Sequence, residues 1–231
     1  TKMLVRIADV VTVGSHELFD WAKKYNEQTY LIPTCTYFTS YPVKVFFPDK
    51  KEKLVLGWVG NTEAHRENLA LLVPVFKELS KKKISIDFIL VGARGNKEIS
   101  DAFQHINCIN VKVIDWLAPE DIVKIIHTFD VGLMPLTDTP WNRGKCALKI
   151  VEYMACGVPA IASPVGENNY VIEEGVNGFL ASTTEEWVSK IEQLSNNFKL
   201  LENFGARARK TIEESYVYDV QLIRILDIIG K

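Results

Sequence analysis

The sequence predicts an α/β fold in which a doubly wound parallel sheet follows a small βαβ unit. Short apolar runs alternate with amphipathic segments along most of the chain, and this alternation is typical of parallel strands covered by helices on both faces. The chain has 231 residues, enough for one sizeable core and a small appendage. Its composition, 47% hydrophobic and 24% charged, is that of an ordinary globular protein.

The first elements predict the small βαβ unit. Residues 9–13 are a short apolar run typical of a strand, and Ser15 is a suitable N-cap for a helix over residues 16–25. The sequence Tyr-Leu-Ile-Pro at residues 30–33 indicates a second strand. Prolines and a run of charged residues then interrupt the pattern over residues 34–53, which favours a linker.

After the linker, strands and helices alternate regularly. We predict strands over residues 54–59, 84–91, 111–114, 130–135, 159–162 and 178–181. The helices between them are predicted over residues 67–82, 97–105, 119–127 and 146–156, and three more over 184–195, 197–215 and 218–229 close the chain. Six strands with intervening helices predict a Rossmann-like domain, whose ligands bind beyond the carboxyl ends of the strands.

Charge and cysteine content exclude several functional classes. A net charge of −2 provides no basic surface for nucleic acid, although a few well-placed cations would suffice for a phosphate-bearing ligand. The four cysteines form no Cys-x-x-Cys pair, so we expect free thiols in a reducing compartment, the cytoplasm. No apolar run approaches the ~20 residues of a membrane span. The chain starts in apolar sequence without a leader, as if cut from a longer protein.

The first candidate loop follows the strand at residues 54–59. Gly60 would let the backbone approach a ligand closely, Asn61 comes next, and Arg66 provides a cation for phosphate. The loop is not Gly-x-Gly-x-x-Gly, and no acidic residue follows at dinucleotide-site spacing. A nicotinamide site is therefore disfavoured.

The second candidate loop contains Trp116, between the third strand of this series and its helix. An aromatic ring at this edge of the sheet would form one wall of a pocket for a nucleobase. The alternative is a tryptophan that only packs its loop onto the sheet. The sequence leaves both interpretations open.

The third candidate loop has the most polar residues. Arg143, Gly144 and Lys145 lead into a predicted helix on which Lys145, Lys149 and Glu152 would share one face at i, i+4 and i+7. Cations at a helix N-terminus oppose the helix dipole, and a bound anion would resolve that conflict. The alternative is a solvated face with a Lys149–Glu152 pair. The unfavourable placement of the lysines makes us favour an anion site.

Motifs of other enzyme classes are missing from the sequence. It contains no Walker motif, no His-Glu-x-x-His, no Gly-x-Ser-x-Gly and no Asp-x-Asp. No pair of carboxylates of the glycosidase kind stands out at the predicted ligand edge. Single histidines are more often packing or surface residues, so we give them little weight, although His65 lies in the first loop; they are His16, His65, His105 and His127.

Residues 149–166, Lys-Ile-Val-Glu-Tyr-Met-Ala-Cys-Gly-Val-Pro-Ala-Ile-Ala-Ser-Pro-Val-Gly, and residues 173–180, Glu-Glu-Gly-Val-Asn-Gly-Phe-Leu, form a recognisable pattern. It resembles the C-terminal domain of the retaining GT-B-fold glycosyltransferases of family four. The resemblance covers nearly the whole chain. It implies metal-independent transfer of a sugar from a nucleotide diphosphate donor, without a cofactor and with retained anomeric configuration.

The resemblance also implies a domain organisation. Residues 1–33 would be a remnant of the N-terminal acceptor domain, and residues 34–53 the linker. Residues 54–213 would be the nucleotide-sugar-binding domain, and we expect the helix in residues 214–231 to pack back toward the N-terminal domain. Such a chain would bind donor but transfer sugar poorly or not at all alone. Peripheral membrane association through the missing domain stays open.

Residue by residue, the resemblance implies a donor site. The family's ribose-binding glutamate falls on Glu152, and its diphosphate-binding backbone on Cys146, Ala147 and Leu148. The basic residue that reaches the diphosphate falls on Arg66. The residues assigned to binding are Gly60, Asn61, Arg66, Trp116, Arg143, Gly144, Lys145, Cys146, Ala147, Leu148, Lys149 and Glu152; Arg66 and Lys149 would also stabilise the leaving group.

The sequence departs from the family at two positions. Asn61 stands where arginine is usual, and Gly144 where a glutamate normally contacts the transferred sugar. Arg143 and Lys145 are candidates to replace the missing cation. The function implied is that of a hexosyl-type glycosyltransferase of carbohydrate biosynthesis with an unknown acceptor. The alternatives are a non-catalytic nucleotide-binding module and a nucleotide-sugar 2-epimerase of the same fold.

Overall fold

A computed structural model describes residues 1–44, 53–93 and 98–230. Its strands are β1 (Val11–Val13), β2 (Thr29–Leu31), β3 (Leu54–Val59), β4 (Ile86–Val91), β5 (Ile109–Ile114), β6 (Val131–Met134), β7 (Ala160–Ala162) and β8 (Gly178–Leu180). Strands β1 and β2 form a separate two-stranded parallel sheet. The others form one parallel sheet in the order β5-β4-β3-β6-β7-β8, which confirms the predicted doubly wound α/β fold.

Helices cover both faces of the large sheet. Within the described ranges they are α1 (Lys2–Ile7), α2 (His16–Lys23), α3 (Arg66–Ala70), α4 (Leu72–Lys81), α5 (Glu98–Gln104), α6 (Pro119–Ile126), α7 (Pro140–Arg143), α8 (Leu148–Ala155), α9 (Asn168–Val171), α10 (Thr184–Ser195), α11 (Phe198–Ser215) and α12 (Tyr218–Ile229). None of these helices has the length and apolarity that crossing a bilayer would require.

Each face of the large sheet packs against its own hydrophobic cluster. On one face Phe76, Phe88 and Phe103 pack against one another with ring centroids 5.0–5.3 Å apart. On the other face Phe129 packs against Tyr153 of α8. The Tyr153 hydroxyl also accepts the Val59 N–H at 3.0 Å, so α8 is fixed against the carboxyl end of β3.

The small βαβ unit forms as predicted. The Ser15 hydroxyl accepts the Leu18 N–H and caps α2, and β1 pairs in parallel with β2. Helix α1, which the sequence analysis did not anticipate, precedes this unit. Of the predicted linker, residues 45–52 lie outside the described residues, and residues 38–40 form a single 3₁₀ turn.

Two predicted helices were wrong in detail. The helix predicted over residues 67–82 is split at Leu71 into α3 and α4, because Pro74 has no N–H to donate to the Ala70 carbonyl. The helix predicted over residues 146–156 begins only at Leu148. The residue before it, Ala147, adopts a left-handed conformation with φ 53°, which a continuous helix excludes. The predicted start at residue 97 lies outside the described residues.

Candidate functional site

An open cleft of about 380 Å³ lies beyond the carboxyl ends of β3, β4 and β5. Apolar side chains form much of its lining, together with Asn61, Trp116 and the beginning of α8. Six residues predicted from the sequence take part: Gly60, Asn61, Trp116, Leu148, Lys149 and Glu152. The position agrees with the general rule for ligand sites in doubly wound sheets.

Two glycines allow the strand ends to approach each other and α8. A Cβ atom on Gly60 would lie 2.6 Å from Cε of Lys149. Gly92 has φ +98°, and a Cβ atom there would lie 1.7 Å from the carbonyl oxygen of Gly60. The Gly60 N–H donates to the Val91 carbonyl at 3.0 Å. Both positions therefore require glycine, one for the space that Lys149 occupies and the other for close backbone contact.

Lys149 is the basic residue of the cleft. Its Nζ lies 3.2 Å from Nε2 of His65 and 5.3 Å from the centre of the Trp58 ring. Burial and the nearby Lys145 lower the pKa of Lys149 to about 8, with Glu152 acting in the opposite direction. Burial and the two lysines also lower the pKa of His65, to about 3, so its ring is neutral above mildly acidic pH.

Glu152 is the carboxylate of the cleft, and it has a partner from a distant segment. The hydroxyl of Tyr41 donates to Oε1 of Glu152 at 3.2 Å. Arg209 fixes this tyrosine, because its guanidinium donates to the Tyr41 and Ala155 carbonyls and stacks on Phe38. Burial raises the pKa of Glu152, while the Tyr41 hydrogen bond and Lys149 lower it.

The backbone at the start of α8 completes the site. Ala147 is buried in its left-handed conformation between Cys146 and Leu148. The N–H groups of the first helical turn have no partners within a helix and carry the positive end of its dipole. This turn can therefore accept an anion next to Lys149.

Six predicted site residues do not line this cleft, and two of them, Cys146 and Ala147, lie immediately before α8. Arg66 is exposed and pairs with Glu98 at 3.0 Å beside a neighbouring polar pocket, while Arg143 pairs with Asp138. The carbonyl of Gly144 accepts the Ser15 hydroxyl at 3.2 Å. Lys145 lies before α8, so the expectation that it shares a helical face with Lys149 was wrong. The left-handed residue between them breaks the i, i+4 relation.

Sequence reasoning missed two groups that the fold brings to the cleft. His65 was recognised only as a histidine in the first loop, and its contact with Lys149 spans 84 positions. Tyr41 was placed in a linker, and its contact with Glu152 spans 111 positions. A polar aromatic residue inside an apparent linker was the one available signal for Tyr41.

A doubly wound parallel sheet with a cleft beyond the carboxyl ends of its strands defines the class of open α/β domains. Within that class, the chain belongs to the family described as Glycosyl transferases group 1, whose profile matches residues 53–197. The fold is that of the GT-B glycosyltransferases.

Curated relatives are distant and longer than this chain. It is 22% identical over 172 residues to spore coat protein SA of Bacillus subtilis, covering 70% of this chain and 45% of that protein. It is 29% identical over 116 residues to N-acetyl-alpha-D-glucosaminyl L-malate synthase of Bacillus anthracis, covering 47% and 30%. The chain thus spans less than half the length of these relatives.

Solved structures share the fold over almost the whole chain. Sucrose-phosphate synthase of Thermosynechococcus elongatus superposes with a TM-score of 0.81 at 18% identity, covering 99% of this chain and 59% of that one. Anabaena HepE in complex with UDP and glucose gives a TM-score of 0.76 at 18% identity, covering 99% and 65%. At this level of identity the likeness concerns the fold.

Proposed function

We propose that this chain is the donor-binding half of a retaining, metal-independent glycosyltransferase of family four, which transfers a hexosyl group from a nucleotide diphosphate sugar. One observation carries the proposal: Lys149, Glu152 and the start of α8 meet in one cleft at the ligand edge of the sheet. Carboxylates suit vicinal hydroxyl groups, and cations with helix N–H groups suit phosphates. The UDP and glucose bound by Anabaena HepE, which has the same fold, are consistent with this ligand class.

In this proposal each wall of the cleft has a role. The nucleobase lies against Trp116, whose side chain is 61% exposed, and Glu152 accepts hydrogen bonds from the ribose. The diphosphate lies at the start of α8 beside Lys149. As the sugar–phosphate bond breaks, negative charge grows on the diphosphate, and Lys149 with the helix N–H groups stabilises it. Arg66 would contribute only after leaving Glu98.

We also propose which parts of the chain bind the donor and which belong to the acceptor-binding half. Residues 54–213 bind the donor, residues 1–33 belong to the acceptor-binding half, residues 34–53 connect them, and residues 214–231 return toward that half. One contact supports the return of α12 toward that half: Arg224 donates to the Leu31 carbonyl at 3.1 Å. Tyr218 also stacks on Tyr37 of the connecting segment. Free thiols at all four cysteines fit a cytoplasmic location.

A non-catalytic nucleotide-binding module is the second candidate. Gly144, which stands where the resemblance places a sugar-contacting glutamate, favours it, because the cleft then has one carboxylate fewer for the transferred sugar. Hydrolysis or transfer of sugar from a labelled donor by the full-length protein would separate the two functions. A binding module would bind the donor without consuming it.

Binding of a nucleoside diphosphate is the first test of the proposal. We expect UDP, GDP or ADP to raise the melting temperature of this chain equally in EDTA and in Mg²⁺, because Lys149 and α8 supply the positive charge. Lys149→Met should reduce the shift. The proposal fails if no nucleotide stabilises the chain at millimolar concentration, or if stabilisation needs the divalent ion.

Recognition of the ribose by Glu152 is the second test. Hydrogen bonds to a charged group contribute about 1.5–3 kcal/mol, so Glu152→Gln should weaken nucleotide binding about 10- to 100-fold. The 2′-deoxy nucleotide should bind the wild type more weakly than the ribonucleotide, and Glu152→Gln should remove that difference. Glu202→Gln, an exposed change on α11, is the matched control. Equal affinity of the wild type for both nucleotides would remove Glu152 from the ribose.

A further inference from the structure

Hydrogen bonds among Thr137, Asn142, Asn68 and His65, behind the cleft, identify which atom donates and which accepts in each contact. The Thr137 N–H, which can only donate, lies 2.9 Å from Oδ1 of Asn68, and Nδ2 of Asn142 donates to the same oxygen at 2.9 Å. The amide of Asn68 is therefore oriented with its Nδ2 toward Nδ1 of His65, at 3.2 Å. Since Nδ2 only donates, Nδ1 of His65 accepts.

This orientation fixes the tautomer of His65. A neutral imidazole whose Nδ1 accepts a hydrogen bond carries its proton on Nε2. His65 is neutral because burial lowers its pKa. Its Nε2–H therefore faces Nζ of Lys149 at 3.2 Å.

The protonation state of Lys149 follows from the same contact. An ammonium group has three donors and no lone pair, so it cannot accept the Nε2–H, whereas a neutral amine can. Burial and Lys145 also favour the neutral amine. Glu152 and the face of Trp58 favour the ammonium form, and Cys146 acts in the same direction in its thiolate form.

We propose that Asn68 and His65 act as positioning residues that hold Lys149 as a neutral amine in the ligand-free cleft above about pH 8, and that the amine takes up one proton when a nucleoside diphosphate binds. The identity of the anion rests on the proposed function. The proton comes from solvent, and the resulting ammonium group turns from His65 to the phosphate. No covalent bond is made or broken in this step.

This arrangement links the charge of Lys149 to the presence of a ligand in the cleft. An empty cleft is spared a buried, uncompensated ammonium group, and a filled cleft gains a full cation beside the diphosphate. Release of the nucleotide product then returns the proton to solvent. Donor binding and product release are therefore both linked to pH.

The direction in which ligand binding shifts the Lys149 pKa determines the pH range over which UDP binding weakens. Diphosphate binding raises the pKa of Lys149 above its ligand-free value of about 8. The charge interaction is therefore complete below that value and is lost as pH rises through the ligand-bound value. We expect the Kd for UDP to be constant near pH 7 to 7.5 and to increase about tenfold per pH unit above about pH 8.

Titration calorimetry with UDP at pH 9 measures the proton directly. Phosphate groups, whose second pKa is about 6, are fully ionised there, so any proton taken up belongs to the protein. Binding heats in two buffers of different ionisation enthalpy should give an uptake of about one proton. Lys149→Met should give none, whereas Lys145→Met and the surface variant Lys210→Met should keep it. A proton that disappears with Lys145 instead would overturn the proposal.

A measurement without nucleotide separates this inference from the proposed function. The Lys149 side chain can be titrated by NMR in the ligand-free chain, with the Lys149→Met spectrum as assignment. We expect a midpoint well below the ~10.4 of free lysine, raised in His65→Gln, whose amide oxygen can accept from the ammonium group. A normal midpoint, or one that His65→Gln leaves unchanged in a folded chain, would overturn the proposal. Absence of UDP binding with a low, His65-dependent midpoint would count against the proposed function alone.

Discussion

At the scale of single residues, burial acts on the two ionisable groups of the cleft in the same sense. It lowers the pKa of Lys149 and raises that of Glu152, and so favours the neutral form of each. Each side chain partly offsets the effect on the other. A ligand that brings phosphates to one and hydroxyl groups to the other would compensate both, which is why this pair is the chemical centre of the site.

Gly92 is the residue at which the backbone of the cleft tolerates least change. We expect Gly92→Ala to destabilise the chain by more than about 3 kcal/mol, because the new Cβ atom would combine an unfavourable φ with a backbone overlap. Gly175→Ala is the matched control: φ is +74°, and no atom of the described residues lies within 4 Å of its Cβ position. It should cost only about 1 kcal/mol. Chemical denaturation measures both, and equal losses would contradict the overlap argument.

At the scale of elements, the sequence predicts strands better than helix starts. Strand β3 was predicted to the residue, because its apolar run ends abruptly at Gly60. The start of α8 was wrong by two residues, since a left-handed alanine at position 147 has no signature of its own. Short helices such as α7 and α9 contain too few residues to show a period.

The candidate site was predictable to the extent that it is local. Gly60, Lys149 and Glu152 sit at the ends of elements whose order fixes their edge of the sheet. The contacts of His65 and Tyr41 join residues that are far apart in the sequence, so no periodic pattern of the sequence indicates them. The roles of Arg66 and Arg143 as phosphate cations stay predictions, and the structure pairs both with carboxylates.

The beginning of α8 carries a prediction that separates its two lysines. We expect Lys149→Ala to weaken binding of a nucleoside diphosphate by more than that of a monophosphate, because Lys149 lines the cleft and Lys145 does not. A neutral amine does not oppose the helix dipole, so the same change should not stabilise the ligand-free chain by relieving a dipole conflict. Calorimetry with both nucleotides and thermal unfolding measure these effects.

Lys145→Ala is the matched control for this helix. Burial lowers the pKa of Lys145 as it does that of Lys149, so the two substitutions remove similar charges. We expect a small effect on both nucleotides from Lys145→Ala. If neither lysine discriminates between mono- and diphosphate, the anion site is not at this end of α8.

At the scale of the whole molecule, the small βαβ unit is attached to the large sheet by specific polar contacts. Helix α2 of this unit contacts the loop after β7. In that loop Glu167 is 2% exposed and accepts hydrogen bonds from the backbone N–H and from Nδ1 of His16, at 2.9 and 3.0 Å. The His16 ring also stacks on Tyr170 with centroids 3.5 Å apart. A parallel bridge between Thr36 and Val217 joins the start of the connecting segment to the turn before α12.

These contacts place the small unit beside the loops that enclose the cleft. The Ser15 hydroxyl, which caps α2, also donates to the Gly144 carbonyl in the loop before α8. Arg209 in turn fixes the Tyr41 segment that contacts Glu152. Movement of the small unit would therefore change the loop before α8.

The Glu167 contact carries the last prediction, which concerns attachment of the small unit. Glu167→Ala leaves the half-buried His16 N–H without its acceptor and removes the partner of a ring that is one-third exposed. We expect a loss of about 1 kcal/mol in the attachment of this unit, seen as roughly fivefold faster amide exchange in β1, α2 and β2. Exchange in β3 and β4 should not change.

The matched control for this prediction is Asp138→Ala, which breaks the exposed Asp138–Arg143 pair in the same surface region. Because both partners are exposed, exchange in the small unit should stay as in the wild type. Faster exchange throughout the large sheet in Glu167→Ala would indicate loss of global stability instead of local detachment. Equal effects of the two variants would show that the contact with His16 does not hold the units together.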